Sequence, residues 1–136
     1  MKADDFLKVG EKYFYIYIPS VMLNGLYNLK VQITVTSITR IDNEVYTEFT
    51  LNFKGGNGLN YRSIIYDTNV FEDYAYIEDG CYGTIITKYD KSSARKAIMK
   101  LAYRELNRIS PIAKEKRTIL RNNVKYILEE IKKFKL

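Results

Sequence analysis

Lys96, Lys100, Arg104 and Arg108 recur at intervals of four, which sets them in a row along one side of a helix. Lys114, Arg121, Lys125 and Lys132 form a second basic set further on, opposite a stripe of apolar residues. Ammonium and guanidinium groups arranged in this way bind anions, whether phosphates or carboxylates. From Lys91 onward the chain carries fourteen Lys and Arg against four acids, whereas residues 1–90 carry eight against twelve. A mildly acidic body thus bears a strongly basic tail, and such asymmetry points to a partner of opposite charge. Helices that use charge only for solubility commonly interleave Glu to gain i,i+4 pairs, and acids are too few here for that. Nucleic acid is the commonest such partner, followed by an acidic protein surface or a nucleoprotein complex.

Other chemistries find little support. The chain has no histidine, which removes the residue most used for proton transfer at neutral pH, with every His-dependent triad and zinc site. Asp67, Glu72, Asp73, Glu78 and Asp79 offer carboxylates for Mg²⁺, yet the β-rich part has no lysine two residues after a strand acid to complete a nuclease site. They read as solvated turn residues. Cys81 has no basic neighbour in sequence to activate its thiol. The run Lys54-Gly55-Gly56-Asn57-Gly58 leads into a strand, whereas a phosphate cradle leads into a helix, so it reads as a hairpin turn. The expectation is a binding protein, not an enzyme, with no cofactor and no metal.

Two further surfaces bear on partners. Tyr13, Tyr15 and Tyr17 alternate with Phe14, Ile16 and Ile18, so the rings share one face of a strand. They form either a platform for stacking bases or, the reading favoured here, a second small core beneath the basic helices. Val21, Met22, Leu23, Leu26 and Tyr27 give the segment 20–28 an unusually apolar character. Exposed, it marks a protein interface; folded inward, it is core. A protein–protein module acting through this loop, without nucleic-acid contact, is the alternative functional reading.

The elements that must position these residues follow from periodicity. Phe6, Leu7 and Val9 anchor a short lead-in that Gly10 turns. Strands are expected at 12–18, from Leu29 with a bulge near Thr36-Ser37 where the alternation slips phase, from Val45 to Phe53 after a turn at Asp42-Asn43, at 59–66, at 70–77 and at 81–89. Asp90 caps a first helix whose apolar face is Ala94, Ala97, Ile98, Leu101, Ala102 and Ile109, with Glu105 inside it and paired to Arg108 or to a base of the next helix. Ser110-Pro111 ends that helix and starts another. There Leu120, Val124, Ile127, Ile131 and Phe134 recur at four, three, four and three, a stripe that packs within the protein or pairs two copies, so monomer and homodimer both stay open. The fold class is therefore α+β: a small antiparallel barrel or sandwich of about six strands, followed by a helical hairpin. The whole reads as one domain, with a β-rich part at 1–89 and a basic two-helix part at 90–136.

The single cysteine fits a reducing compartment. No apolar run reaches the roughly 18 residues a membrane span needs, and the start lacks the pattern of a secretory signal. A cytoplasmic protein without membrane contact is expected.

This order of elements resembles that of small accessory proteins encoded by phages and mobile elements of AT-rich bacteria. The likeness rests on Phe6 to Tyr13, with Val9-Gly10-Glu11 before the first strand, and on the capped, alanine-containing helix from Asp90 to Ala102. It covers residues 6–109. The resemblance implies an SH3-like barrel closed by a helix, and a protein that acts by binding. Some such proteins inhibit bacterial defence systems, CRISPR effectors among them. It assigns no functional residue.

Overall fold

A computed structural model describes residues 2–19, 28–56, 58–79 and 82–133. A four-residue helix, α1 (Ala3–Phe6), precedes the strands β1 (Lys12–Pro19), β2 (Asn28–Asp42), β3 (Thr47–Gly55), β4 (Asn60–Tyr66), β5 (Tyr74–Asp79) and β6 (Tyr82–Lys88); the helices α2 (Lys91–Arg108) and α3 (Lys114–Lys133) follow. The fold is α+β: one open six-stranded sheet in the order β4-β3-β2-β1-β6-β5, every pairing antiparallel, followed by two helices. β1 lies inside the sheet, between β2 and β6. No helix among the described residues is long and apolar enough to cross a membrane.

The sheet is curled, and chain length requires it. Val70 lies four residues beyond the end of β4 and is bridged to Ala75 of β5. Four residues reach about 14 Å and the bridge adds about 5 Å, whereas the edges of a flat six-stranded sheet would stand about 24 Å apart. The bulge foreseen near Thr36 is present: the register with β3 slips between Val35 and Ser37. A bulge bends and twists its strand, which helps the sheet to curl.

Curling divides the interior into two layers. All six strands feed the inner layer, through Tyr13, Val35, Phe49, Leu51, Phe53, Ile65, Ala75 and Ile86, with Ala3, Phe6 and Leu7 added from the α1 segment. The outer layer takes Phe14, Ile16, Tyr74, Tyr76 and Ile85 from β1, β5 and β6, and packs them under α2 and α3. Ala94, Ala97 and Ala102 allow α2 to approach closely, while Ile98 and Leu101 fill the space between. On α3, Leu120, Val124, Ile127 and Ile131 are all buried; each contributes about 1.5–3 kcal/mol, enough to set the rotation of the helix. Phe134 lies outside the described residues.

Tyr13 and Tyr15 of the tyrosine comb are thus core, but in the layer away from the basic helices. Tyr13 is buried in the inner layer, and Tyr15 and Tyr17 are half-buried. Tyr13 and Tyr15 share a layer with α1 while Phe14 and Ile16 pack under α2, an assignment that alternation alone leaves undecided. The Tyr13 hydroxyl accepts the Lys8 amide N–H at 2.7 Å and lies within hydrogen-bonding distance of the Phe6 carbonyl and the Glu11 carboxylate, which ties the lead-in to β1.

Several boundaries differ from the sequence expectation. The β2–β3 connection is a four-residue loop, 43–46, closed by the Asn43 amide donating to the Tyr46 carbonyl at 2.9 Å. Val45 is 91% exposed there and begins no strand. Thr47 closes the ladder instead, its hydroxyl donating to Asp42 at 3.0 Å. Arg40 and that hydroxyl hold the Asp42 carboxyl below its ordinary value. Residues 67–69 form a 3-10 turn, so β5 starts at Tyr74 and not at Val70. Val9 is exposed and anchors nothing, while Gly10 turns the chain with φ 86° as expected. Helix α3 begins at Lys114, because Ser110–Ala113 is taken up by a turn in which the Ala113 amide donates to the Ser110 carbonyl at 3.0 Å. Pro111 suits the second position of such a turn.

Gly83 is a position where only a hydrogen fits. A Cβ there would stand 2.7 Å from the ring of Tyr76, itself 4% exposed. Gly83→Ala is expected to cost about 1–3 kcal/mol by overpacking, read as a lower urea midpoint with an unchanged slope.

Burial pushes the hydroxyls of Tyr13 and Tyr74 above their ordinary value. The unfolded chain therefore gives up these protons first. Their contribution to stability is complete below about pH 10 and is lost as pH rises through the higher folded values. Urea midpoints measured from pH 8 to 11 should fall on the alkaline side, and Tyr13→Phe should flatten that fall while lowering stability at neutral pH.

Candidate anion-binding groove

Helices α2 and α3 are joined by five residues, 109–113, and form a hairpin. Arg117 fastens the joint, its guanidinium donating to the carbonyls of Leu106 at 2.8 Å and Ile109 at 3.4 Å. The Leu106 carbonyl also accepts the Ile109 amide at 3.2 Å, so backbone and side chain together close the end of α2. At the other end, Lys91 Nζ donates to the Lys132 carbonyl at 2.8 Å. Asp90 caps α2 as expected, accepting the Ser93 amide at 2.7 Å. The hairpin is therefore held at both ends as well as by its apolar seam.

Between the helices lies a groove of about 530 Å³. Its apolar lining is Met99, Ala102 and Leu106 from α2 with Leu120, Val124 and Leu128 from α3; Arg95, Tyr103, Arg121, Lys125, Glu129 and Lys132 complete it. The four cations form no ion pair within 4.0 Å among the described residues. Glu129 is the one carboxylate in the lining.

The eight basic residues marked in the sequence fall into distinct groups. Arg121, Lys125 and Lys132 line the groove. Lys96 and Lys114 are exposed and lie outside the lining. Lys100 pairs with Asp73 at 2.9 Å, a bond that raises its pKa. Arg104 stands 5.6 Å over the ring of Phe71, which in turn stacks on Tyr74 at 4.8 Å. Arg108 pairs at 3.1 Å with Glu105, one of the two partners expected for that carboxylate. The row at intervals of four on α2 is thus divided, because the segment before β5 passes beneath its middle. Lys100 and Arg104 hold that segment down, and one end remains open.

Arg95 stands one residue off the row and does not stand out in the sequence. The signal that could have found it is Met99 and Tyr103, which follow Arg95 at intervals of four and remain 47% and 69% exposed. Large apolar groups on the side of a helix turned away from the sheet define a surface.

The remaining candidates resolve as follows. Among the described residues no three Cys, Asp or Glu side chains stand close enough together to hold a metal ion. Asp67 pairs with Lys2 at 3.3 Å, and Asp73 with Lys100 as above. The glycine-rich run is a hairpin loop in which the Gly58 amide donates to the Gly55 carbonyl at 3.0 Å. Gly58 has φ 84° there, a backbone that favours glycine. Val21, Met22, Leu23, Leu26 and Tyr27, and also Cys81, lie outside the described residues. No protein-family model, curated protein or solved structure matches the chain.

Proposed function

We propose that this chain is a non-enzymatic binding protein whose C-terminal helical hairpin engages nucleic acid or a nucleic-acid-handling complex. The observation that carries this reading is the groove on α2 and α3, where Arg95, Arg121, Lys125 and Lys132 stand around an apolar floor without carboxylate partners among the described residues. Cations left unpaired beside a recess are available to a partner, and they steer its approach. The resemblance to phage and mobile-element accessory proteins adds a role: occupying a surface of a defence complex in the host cytoplasm and blocking it by binding. On the same reading the curled sheet is a form of the SH3-like barrel, serving as the scaffold that presents the hairpin.

The test is elution under salt. The immobilised chain is loaded from cells that carry it, with and without nuclease, and developed with increasing salt. For about four phosphate contacts, affinity should drop roughly a hundredfold between 50 and 200 mM. Nuclease treatment separates a nucleic-acid partner from a protein one. Retention indifferent to salt would defeat the proposal.

A further inference from the structure

We infer that the groove between α2 and α3 takes an acidic amphipathic helix of a partner protein, its apolar side chains on the floor and its carboxylates against the cations. This deepens the reading above, and rests on it, by naming the chemistry of the partner.

Shape comes first. From Arg95 to Leu106 the α2 side of the lining covers about 17 Å at 1.5 Å per residue, or three helical turns. That is the length over which a docked helix places anchors at i, i+3 or i+4, and i+7. With Met99 and Tyr103 reaching solvent, the groove is an open trough, not an enclosed chamber of the kind that surrounds a small ligand.

The floor then separates protein from nucleic acid. It is aliphatic, and Tyr103, mostly exposed, is the one aromatic residue in the lining. Single-strand binding surfaces stack bases on aromatic rings, and duplex contacts run mainly to phosphate and sugar. Neither would cover Met99, Leu106 and Leu128. Leucine or isoleucine side chains of an amphipathic helix would, and the thioether of Met99 adapts to their shape.

Charge selects the sign of the partner. Four cations against Glu129 alone call for carboxylates flanking the apolar anchors. The same excess disfavours a second copy of this chain, because two such linings face to face would repel.

The experiment selects random displayed peptides of about 16 residues on the intact chain, and titrates a short DNA duplex and a single-stranded RNA alongside. Selected peptides are expected to converge on large apolar residues at helical spacing with Asp and Glu between them. Met99→Glu should weaken them roughly tenfold or more, as should Arg121→Glu with Lys125→Glu. Met99→Gln replaces the first variant if far-ultraviolet circular dichroism shows lost helix. Peptides without acidic enrichment, or peptides unaffected by Met99→Glu, overturn the inference. Nucleic acid bound in their place, lost on charge reversal but indifferent to position 99, overturns the helix and leaves the anionic-partner reading standing. No binder of either kind, or binding indifferent to charge reversal, overturns both.

Discussion

Reversing charge at Arg121, Lys125 and Lys132 together is expected to lower affinity for the anionic partner roughly a hundredfold, with the fold intact. Each exposed contact to an opposite charge contributes up to about fivefold, and three of them removed and made repulsive multiply to that size. All three residues line the groove and none is ion-paired within the described part of the molecule. Replacing Lys100 and Arg108 by Gln is the control. It takes two units of charge from the same tail against six for the reversal, yet these two cations are already engaged by Asp73 and Glu105. Affinity should then change about twofold at most, since only the long-range field is altered. A roughly fivefold loss in the control, one third of the reversal's effect on a logarithmic scale and so in proportion to the charge removed, measured by titration at one salt concentration, would mean that net charge rather than the groove determines binding.

Phe14→Ala is expected to cost about 3–5 kcal/mol, and with a total of about 5–15 kcal/mol for a domain it takes away a large share. Phe14 is 2% exposed on β1, and its ring lies 4.6 Å from that of Tyr89, immediately before the Asp90 cap of α2. The residue therefore joins the interior of the sheet to the start of the helical hairpin. Helices of 18 and 20 residues, rich in like charge, are marginal on their own and depend on the face they bury. Urea unfolding followed by circular dichroism at 222 nm should show the loss, and partner binding should weaken in parallel because the groove exists only while the hairpin is docked. A cost below about 0.5 kcal/mol, the range of ordinary surface substitutions, would show that the hairpin is held mainly by other contacts.

Much of this architecture can be read from the chain alone, because its causes are local. The stripe Leu120, Val124, Ile127 and Ile131, the cap at Asp90, the alternation from Thr47 to Phe53 and the bulge beside Thr36 each depend on residues within a few positions of one another. Periodicity and capping report such relations directly. Turn lengths were less legible. The 43–46 loop and the turn at Ser110–Ala113 were settled by hydrogen bonds that alternative turns could equally have offered.

What tertiary structure alone decided is which side of each element meets which neighbour. Alternation in β1 sets tyrosines against Phe14 and Ile16, yet the choice of layer for each depends on where α1 and α2 come to rest. The basic row on α2 looks uniform in sequence, but Asp73 lies 27 positions before Lys100 and is brought to it only because β5 occupies the sheet edge beneath that helix. Arg95, off the row, becomes part of the groove because α3 packs alongside Met99 and Ala102. Side-chain type and spacing fix what a surface can bind; whether a charge remains free to bind it is set by contacts between residues far apart in the chain, and those exist only once the sheet has curled and the hairpin has docked on it.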